Sequence, residues 1–406
     1  MKNQNSNIKK MYELADSSWQ TLLDYELSDI VVQHKDGKFY TESGHSFYNM
    51  VSVSYLALET HPTIRDEACK AILDPANANI PTSRLRIQSK LLYDTEKELS
   101  EYYDAKVLLD TTCSSLSEGI LPLLASGLLT DKIKPVMVFD KFCHFSMNIT
   151  KPICHDETEV VTAPHNDMEF LEEICQKNEC VAYVCDGAYS MGGHAPVEQL
   201  VELQKKYNLF LYIDDSHSLS AYGPKGYGYA RSFIGEINNR TILVYSLFKS
   251  FGVIGGMVLL NKDNDNNCKL VQRYAGPMAW SQPITSYALG GIIGALKIHK
   301  SKELKERQNK LYDNLAVFDS LVDTKEKGSS LPIRLVFVGE EENSLKISKD
   351  VYSKGYYVSA VFFPIVPRGK AGLRVMVNAN IKKEELVNMC NIINENLVTY
   401  GIKNII

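Results

Sequence analysis

One lysine stands in an unusual setting in the segment S-L-F-K-S-F-G-V-I-G-G, residues 246–256. Lys249 follows the apolar run T-I-L-V-Y and precedes three glycines that fall within five residues. A buried amine is costly unless its chemistry is used, whereas glycines let a backbone turn tightly or approach another group closely. The pattern is typical either of an ordinary charge at a strand end or of a reactive amine at the edge of a sheet.

Polar residues that could act together with this lysine end several predicted strands. Short apolar runs end at an acid or a hydroxyl, namely Asp140, Asp186, Asp214 and Ser246. His144 and His217 follow two of these ends closely. Taken singly, a strand-ending aspartate is more often a turn former or helix cap, and a lone histidine is more often a core residue. The whole set, however, predicts one site, because ligands collect at the carboxyl ends of strands in open α/β sheets.

Pyridoxal 5'-phosphate needs this combination of groups. Its aldehyde forms a Schiff base with a partly desolvated lysine, and its pyridine nitrogen needs a facing carboxylate to stay protonated. Its phosphate suits backbone N–H groups at a helix N-terminus. The segment C-S-S-L-S-E-G-I-L, which starts at Cys113, begins such a helix after the strand A-K-V-L-L-D, and Ser246 adds a hydroxyl. The residues therefore predict pyridoxal phosphate as the cofactor and no metal.

The alternation of helices and strands predicts the fold class. Nearly continuous apolar runs occur at residues 136–140, 159–163, 181–186, 209–214, 241–246 and 256–260. Helical patterns separate them, and two more occur near residues 62–73 and 89–103. Such runs are typical of strands that are buried on both faces. We therefore predict an α/β domain with a large, mostly parallel sheet of about seven strands.

The pattern changes near residue 297, where a long charged helix is predicted. Short strands follow it, and a terminal helix begins at Lys382, which together indicate an α+β region. The start of the chain reads as a helix and a short hairpin. We predict three parts, an N-terminal arm (1–50), a large cofactor-binding domain (51–296) and a small C-terminal domain (297–406).

Composition narrows the class of protein. The 406 residues are 45% hydrophobic and 23% charged, with a formal net charge of −5, so no basic surface for nucleic acid is indicated. The most apolar run, 287–296, is too short to cross a bilayer, and the first residues lack the apolar segment of a signal peptide. The nine cysteines are odd in number and form no C-x-x-C pair. These features predict a reduced, cytoplasmic protein without a membrane span.

Five short motifs resemble one enzyme family. Y-L-A-L-E-T-H-P is similar to that family's Y-L-G-L-x-x-H-P, and S-M-G-G-H-A-P-V is similar to S-M-D-G-D-x-A-P. I-D-D-S-H-S resembles V-D-E-A-H-S, L-F-K-S-F-G resembles L-S-K-A-F-G, and H-N-D-M (165–168) is a further family marker. The family is the α-oxoamine synthases, fold-type I pyridoxal-phosphate enzymes that include 8-amino-7-oxononanoate synthase, glycine C-acetyltransferase and serine palmitoyltransferase. The similarity runs from about residue 52 to 386.

The resemblance implies a role for each matching residue. Lys249 would form the Schiff base, Asp214 would pair with the pyridine nitrogen, and His217 would contact the ring hydroxyl. His144 would stack on the ring. The phosphate would meet the backbone N–H groups of Cys113 and Ser114 and the hydroxyl of Ser246. The remaining positions are Ser190 in a cofactor-side loop, Ser281 facing the partner's phosphate, and Arg374 on the substrate carboxylate through a bidentate pair.

The chain also departs from the family's motifs. Val53, Gln88 and Tyr93 stand where the family has an asparagine, a glycine and a histidine on the substrate side. The family's phosphate contact from the neighbouring subunit becomes Trp280 or Ser281. The resemblance therefore implies a homodimer with active sites at its interface, and an acyl donor that differs from the short thioesters of the best-known members.

Three functions compete for this pattern. The leading hypothesis is a decarboxylative condensation of an α-amino acid with an acyl thioester of CoA or a carrier protein. The alternative is a class I/II aminotransferase, in which Lys249 would perform a 1,3-proton shift. The H-N-D-M marker and the S-M-x-G loop favour the condensation. A transcription regulator with a cofactor-sensing domain would need a DNA-binding domain in front, for which about 45 residues are too few.

Overall fold

The structure, a computed structural model, describes residues 8–363 and 365–402. They form two compact units, one of residues 57–305 and one that combines 8–56 with 306–402. The predicted division into 1–50, 51–296 and 297–406 has other boundaries, and the described part of its N-terminal arm lies in the unit that contains the C-terminal residues. As a statement about separate domains, that division stays a prediction.

The elements follow the predicted alternation. The strands of the described residues are β1 (Val32–Lys35), β2 (Lys38–Thr41), β3 (Ser46–Asn49), β4 (Lys106–Asp110), β5 (Val136–Asp140), β6 (Val160–Ala163), β7 (Val181–Asp186), β8 (Leu209–Asp214), β9 (Thr241–Ser246), β10 (Gly256–Leu260), β11 (Ile333–Gly339), β12 (Tyr356–Tyr357), β13 (Ser359–Val361) and β14 (Ala371–Met376). The α-helices are α1 (Ile8–Asp24), α2 (Pro62–Leu73), α3 (Lys90–Tyr103), α4 (Cys113–Ala125), α5 (Phe145–Asn148), α6 (Lys151–Glu157), α7 (Met168–Lys177), α8 (Val197–Lys206), α9 (Tyr229–Ile234), α10 (Asp265–Tyr274), α11 (Gly276–Trp280), α12 (Ser286–His299), α13 (Glu303–Leu321), α14 (Glu341–Ser353) and α15 (Lys383–Thr399).

A seven-stranded sheet organises the first unit, in the order β4-β10-β9-β8-β7-β5-β6. Strands β5 to β9 pair in parallel, while β10 runs antiparallel to both β4 and β9. Every residue of β7 and β8 is buried, as expected for strands covered by helices on both faces. The predicted α/β class with a large, mostly parallel sheet is confirmed.

Small residues let α12 pack closely against α2. A Cβ atom added at Gly290 would lie 2.5 Å from the backbone oxygen of Glu67, and one at Gly294 would lie 2.7 Å from the Cα atom of Ile64. Only glycine fits at such distances, so the small residues of this apolar run serve helix packing. The segment is a buried helix, in agreement with a run too short to cross a bilayer.

The prediction of a single long helix from residue 297 is wrong. Lys297 belongs to α12, which ends at His299, and α13 begins at Glu303. The hydroxyl of Ser301 accepts a hydrogen bond from the backbone N–H of Glu303 at 3.1 Å. A serine at this position satisfies an N–H group of the new helix, which a continuous helix would not need.

The second unit is an α+β structure with two small sheets. One has the order β1-β2-β3-β12, and the other, β11-β14-β13, is antiparallel. Its core combines the N-terminal and C-terminal segments, because Leu22 and Phe47 are buried in one cluster with Leu345 and Phe362. The predicted N-terminal helix and hairpin are confirmed as α1, β1 and β2.

Candidate active site

The polar strand ends of the first unit meet at one edge of the seven-stranded sheet. Asp186 lies opposite Asp214 in the register of β7 and β8. Gly256, at the start of the antiparallel β10, lies opposite both Ser246 and Asp110. We call this side of the sheet the carboxyl edge. The prediction that the strand-ending groups share one edge is confirmed.

Lys249 lies on the turn that joins β9 to β10 at the carboxyl edge. The turn is closed by hydrogen bonds from Leu247 N–H to the Gly255 oxygen (2.9 Å) and from Val253 N–H to the Leu247 oxygen (3.0 Å). Gly252 has a φ of +81°, and a Cβ atom there would lie 2.7 Å from the Cβ of Leu58. A glycine is therefore required, and the turn holds the half-buried lysine at the end of its strand.

Asp214 is a buried carboxylate whose two oxygens both receive hydrogen bonds. Its side chain is 6% exposed. Oδ1 accepts from the backbone N–H of Ser216 at 3.0 Å, and Oδ2 accepts from the thiol of Cys113 at 3.5 Å. Since carboxylates are rarely buried without such donors, the geometry holds a negative charge at a fixed place on the carboxyl edge.

Asp186, on the neighbouring strand, has the opposite electrostatic character. Burial and the nearby charge of Asp214 raise the pKa of Asp186 well above its ordinary value. The hydrogen bond from the backbone N–H of His144 and the positive charge of Lys249 oppose that shift without cancelling it. Two acids side by side in a buried place favour one ionised and one protonated carboxyl.

His144 lies on the loop after β5, and its ring is exposed. Its backbone N–H donates to Oδ1 of Asp186 at 2.9 Å, which ties this loop to the end of β7. Its ring nitrogen Nδ1 lies 2.9 Å from the hydroxyl of Ser146, on the first turn of α5. The loop is thus held at two points while the ring stays accessible at the carboxyl edge.

The H-N-D-M segment contacts Asp140, the residue that precedes the same loop. Asp140, which ends β5, has its Oδ1 3.0 Å from Nδ1 of His165, and its Oδ2 accepts from the backbone N–H of Asn166 at 2.8 Å and from the hydroxyl of Tyr183 at 3.0 Å. Asn166 also donates its side-chain amide to the backbone oxygen of His194, in the S-M-G-G-H segment. The marker therefore connects the loops that follow β5, β6 and β7.

The N-terminus of α4 has the features of an anion cradle. The Thr112 hydroxyl caps the helix by accepting from Ser115 N–H at 2.9 Å, and the Ser115 hydroxyl accepts from Thr112 N–H at 3.2 Å. This capping box uses the N–H groups of Thr112 and Ser115, so the first-turn N–H groups that can meet an anion are those of Cys113 and Ser114. A Cβ atom at Gly256 would lie 2.3 Å from the carbonyl of Thr112, so only glycine lets β10 approach this helix end.

A buried ion pair fixes the strand that leads into α4. Arg84 donates from Nη2 to both carboxylate oxygens of Glu96, at 2.9 and 3.0 Å, and from Nη1 to the backbone oxygen of Leu109. Gln88 donates its amide to the same carboxylate at 3.1 Å. The structure thus gives Gln88 a contact within this ion-pair cluster, and its place on the substrate side stays a prediction.

The other predicted site residues lie in different places. His217 is 5% exposed and follows Asp214 by three residues. Ser190 is half-buried in the loop after β7, and Ser281 is exposed at the end of α11. Arg374 lies on β14 of the second unit, where burial lowers the pKa of its guanidinium and Tyr55 opposes that shift. Their contacts with cofactor or substrate stay predictions.

Two contributions at the carboxyl edge were not predicted from the sequence. Cys113 was assigned only through its backbone N–H, yet its thiol contacts Asp214. Ser216 was not assigned at all, although its N–H donates to Oδ1 of Asp214 and its hydroxyl accepts from the N–H of Ser246. The one available signal was that I-D-D-S-H has a serine where the family's V-D-E-A-H has an alanine.

Comparison with known families now identifies the chain. The model of the family "Aminotransferase class I and II" matches residues 147–393, which is more than half of the sequence. The chain belongs to the aminotransferase class I and II family. Its relatives include an 8-amino-7-oxononanoate synthase from Petrotoga mobilis, 27% identical over 375 residues (87% of this chain and 89% of the relative). A serine palmitoyltransferase from Bacteriovorax stolpii is 26% identical over 385 residues (92% and 88%).

Solved structures agree with the fold. A serine palmitoyltransferase from S. paucimobilis with bound PLP–myriocin aldimine has a TM-score of 0.83 at 18% identity, covering 98% of this chain and 100% of the other. An 8-amino-7-oxononanoate synthase from Francisella tularensis has a TM-score of 0.72 at 17% identity (88% and 99%). The predicted fold-type I architecture is confirmed, as is the predicted resemblance to the group that contains these two enzymes. Across the described residues, no helix is long and apolar enough to span a bilayer.

Proposed function

We propose that the protein is a pyridoxal-phosphate-dependent acyltransferase that condenses an α-amino acid with an acyl thioester and releases carbon dioxide. The observation that carries the proposal is the arrangement at the carboxyl edge. A lysine on a glycine-fixed turn, a buried carboxylate with two donors and an open helix N-terminus all lie on one side of one sheet. The relatives named 8-amino-7-oxononanoate synthase and serine palmitoyltransferase support the condensation.

These residues fit the cofactor by the chemistry of their donors. The N–H groups of Cys113 and Ser114 suit the phosphate, the Asp214 carboxylate suits a protonated pyridine nitrogen, and the Lys249 amine suits the aldehyde. His144 and His217 would contact the ring, and Ser190, Ser246 and Ser281 would add hydroxyls. When bound, pyridoxal phosphate supplies an electron sink for the negative charge at the amino acid's α-carbon.

The chain's own residues would orient the substrate and move its proton. Lys249 Nζ would take the α-proton and return it, because the turn between β9 and β10 places this amine at the carboxyl edge. The Asp214 carboxylate would be held in place because Ser216 N–H and the Cys113 thiol donate to it. Arg374 would hold the amino-acid carboxylate through its planar fork.

An aminotransferase on the same fold is the alternative, and the family model covers that activity too. The names of the relatives support the condensation over it. A panel of amino acids and acyl thioesters separates the two. Condensation releases free thiol only when both substrates are present, whereas transamination forms an oxo acid without consuming thioester. Oxo acid without thiol release would overturn the proposal.

The acyl donor would differ from the short thioesters used by the best-known family members. With Gln88 engaged by Glu96, this part of the proposal rests on Val53 and Tyr93. The side chain of Tyr93 is 60% exposed, so it adds bulk at the protein surface. Efficient condensation of glycine or alanine with acetyl-CoA or pimeloyl-CoA would contradict this expectation.

The active enzyme would be a cytoplasmic homodimer with its sites at the interface. Trp280 is 72% exposed and Ser281 is also exposed, as a segment that contacts a second copy would be before association. Light scattering of the cofactor-loaded protein tests the dimer. A monomer with full activity would contradict it.

A further inference from the structure

A chain of hydrogen bonds runs from the end of β9 to the carboxylate of Asp214. The backbone N–H of Ser246 donates to the hydroxyl oxygen of Ser216 at 2.6 Å. That hydroxyl lies 3.9 Å from the sulfur of Cys113, and the same sulfur lies 3.5 Å from Oδ2 of Asp214. All these groups lie in the first unit, at the carboxyl edge.

The direction of donation in this chain is fixed by its two ends. A backbone N–H can only donate, so Ser216 Oγ accepts from Ser246, and its own proton is left to donate to the Cys113 sulfur. The Cys113 thiol then directs its proton to Asp214, since a carboxylate only accepts. Each link supports the next, and the chain ends on the oxygen opposite the one that Ser216 N–H contacts.

The thiol is buried and stays protonated. Burial and the charge of Asp214 raise the pKa of Cys113 well above its ordinary value, and the charge of Lys249 only partly offsets this. The thiol is thus a donor rather than a nucleophile. Ser216 is 1% exposed and Cys113 is 7% exposed, so water does not readily replace either contact.

We infer that Cys113 and Ser216 are positioning residues that hold the Asp214 carboxylate in the orientation in which it meets the cofactor. This inference rests on the proposed function, because it assigns Asp214 to the pyridine nitrogen. It gives the side chain of Cys113 a role of its own, in addition to the predicted contact of its backbone N–H with the phosphate. The link to Ser246 N–H also connects Asp214 to the strand end that leads into Lys249.

A double-mutant cycle tests the inference by the dissociation constant of pyridoxal phosphate, titrated into the cofactor-free protein and followed by absorbance. Cys113→Ala should raise this constant roughly three- to tenfold, the value of one modest hydrogen bond. Cys113→Ser keeps a donor and should restore most of the affinity. In an Asp214→Ala background, Cys113→Ala should have no further effect, because its target is gone.

The matched control is Cys154→Ala, which removes a thiol that is also buried in the same core but contacts Thr150 instead. It should leave the constant unchanged. If Cys113→Ala does not fold, judged by its thermal unfolding, Ser216→Ala breaks the same chain at its middle and gives the same comparison. An equal loss in both Asp214 backgrounds, or a Cys113→Ser protein as weak as Cys113→Ala, would overturn the inference. A wild-type protein that does not bind the cofactor would instead overturn the proposed function.

Discussion

The backbone N–H of His144 donates a hydrogen bond to the side-chain carboxyl of Asp186 at 2.9 Å. This contact joins the loop that follows β5 to the end of β7, where Asp186 lies opposite Asp214 in the register of β7 and β8. The histidine ring is exposed while its backbone is held by a buried group. The position of His144, which is predicted to stack on the cofactor ring, therefore depends on Asp186, which has no predicted contact with the cofactor.

Asp186→Asn should preserve this contact, whereas Asp186→Ala should lose it. The amide oxygen of asparagine still accepts from His144 N–H, and burial already favours the uncharged form of the acid. We expect Asp186→Ala to lower the free energy of unfolding by about 1–3 kcal/mol, the cost of leaving a buried donor unsatisfied. Chemical denaturation measures both variants. Glu101→Ala, at an exposed position on α3, is the control, and equal losses in the two Asp186 variants would contradict the argument.

His299 should make the protein less stable in mild acid. It is buried, its ring contacts the backbone oxygen of Ala295 and the hydroxyl of Ser220, and burial lowers its pKa from 6.5 to about 4. The unfolded chain binds a proton below pH 6.5 that the folded state does not accept until about pH 4. The free energy of unfolding should therefore fall as pH drops through this window, by about 3 kcal/mol in total.

Denaturation curves between pH 7 and pH 4 measure this effect as the difference in pH slope between the unaltered protein and a variant without His299. His299→Gln should remove the corresponding part of the slope, because glutamine does not titrate. His34→Gln changes an exposed histidine of β1 and should leave the slope as it is in the unaltered protein. Equal slopes in the His299→Gln variant and the unaltered protein would contradict the assignment.

The Arg84–Glu96 pair should be far more important for stability than an exposed pair on α3, the helix that carries Glu96. Arg84→Met leaves Glu96 buried without its cation and should cost about 3–5 kcal/mol. Lys90→Met breaks the exposed pair of Lys90 with Asp94 and should cost roughly 0–1 kcal/mol. Thermal and urea unfolding of the two variants test the contrast. A similar small loss in both would show that the buried pair does not fix the entry into α4.

The sequence predicted the class of fold because its strands are nearly continuous apolar runs. That signal is local, so it located β5, β7, β8, β9 and β10 within a residue. It could not show that β10 runs antiparallel between β4 and β9, because strand direction depends on pairing partners far along the chain. The break between α12 and α13 was missed because the charged pattern continues through Ser301, whose cap depends on a single hydroxyl.

The candidate site was predictable where a residue type is nearly diagnostic, as for Lys249 within its glycine-rich turn. The donors around Asp214 were not. The thiol of Cys113 carries no signal until folding brings it beside a strand about 100 residues later, and the serine of I-D-D-S-H marks a departure from the family motif without naming its partner. The contact of Gln88 with Glu96 was hidden for the same reason. The motif position of Gln88 gave no information about this partner.

The most direct test of the proposed condensation is a stoichiometry. An α-amino acid labelled in its carboxyl group is incubated with an acyl thioester and the cofactor-loaded protein, and labelled carbon dioxide and free thiol are measured together. The two should appear in a ratio near one with the unaltered protein. Neither should appear above background with Lys249→Ala, which lacks the amine that moves the α-proton. Thiol release that does not match carbon dioxide, or equal product formation by Lys249→Ala, would contradict the account.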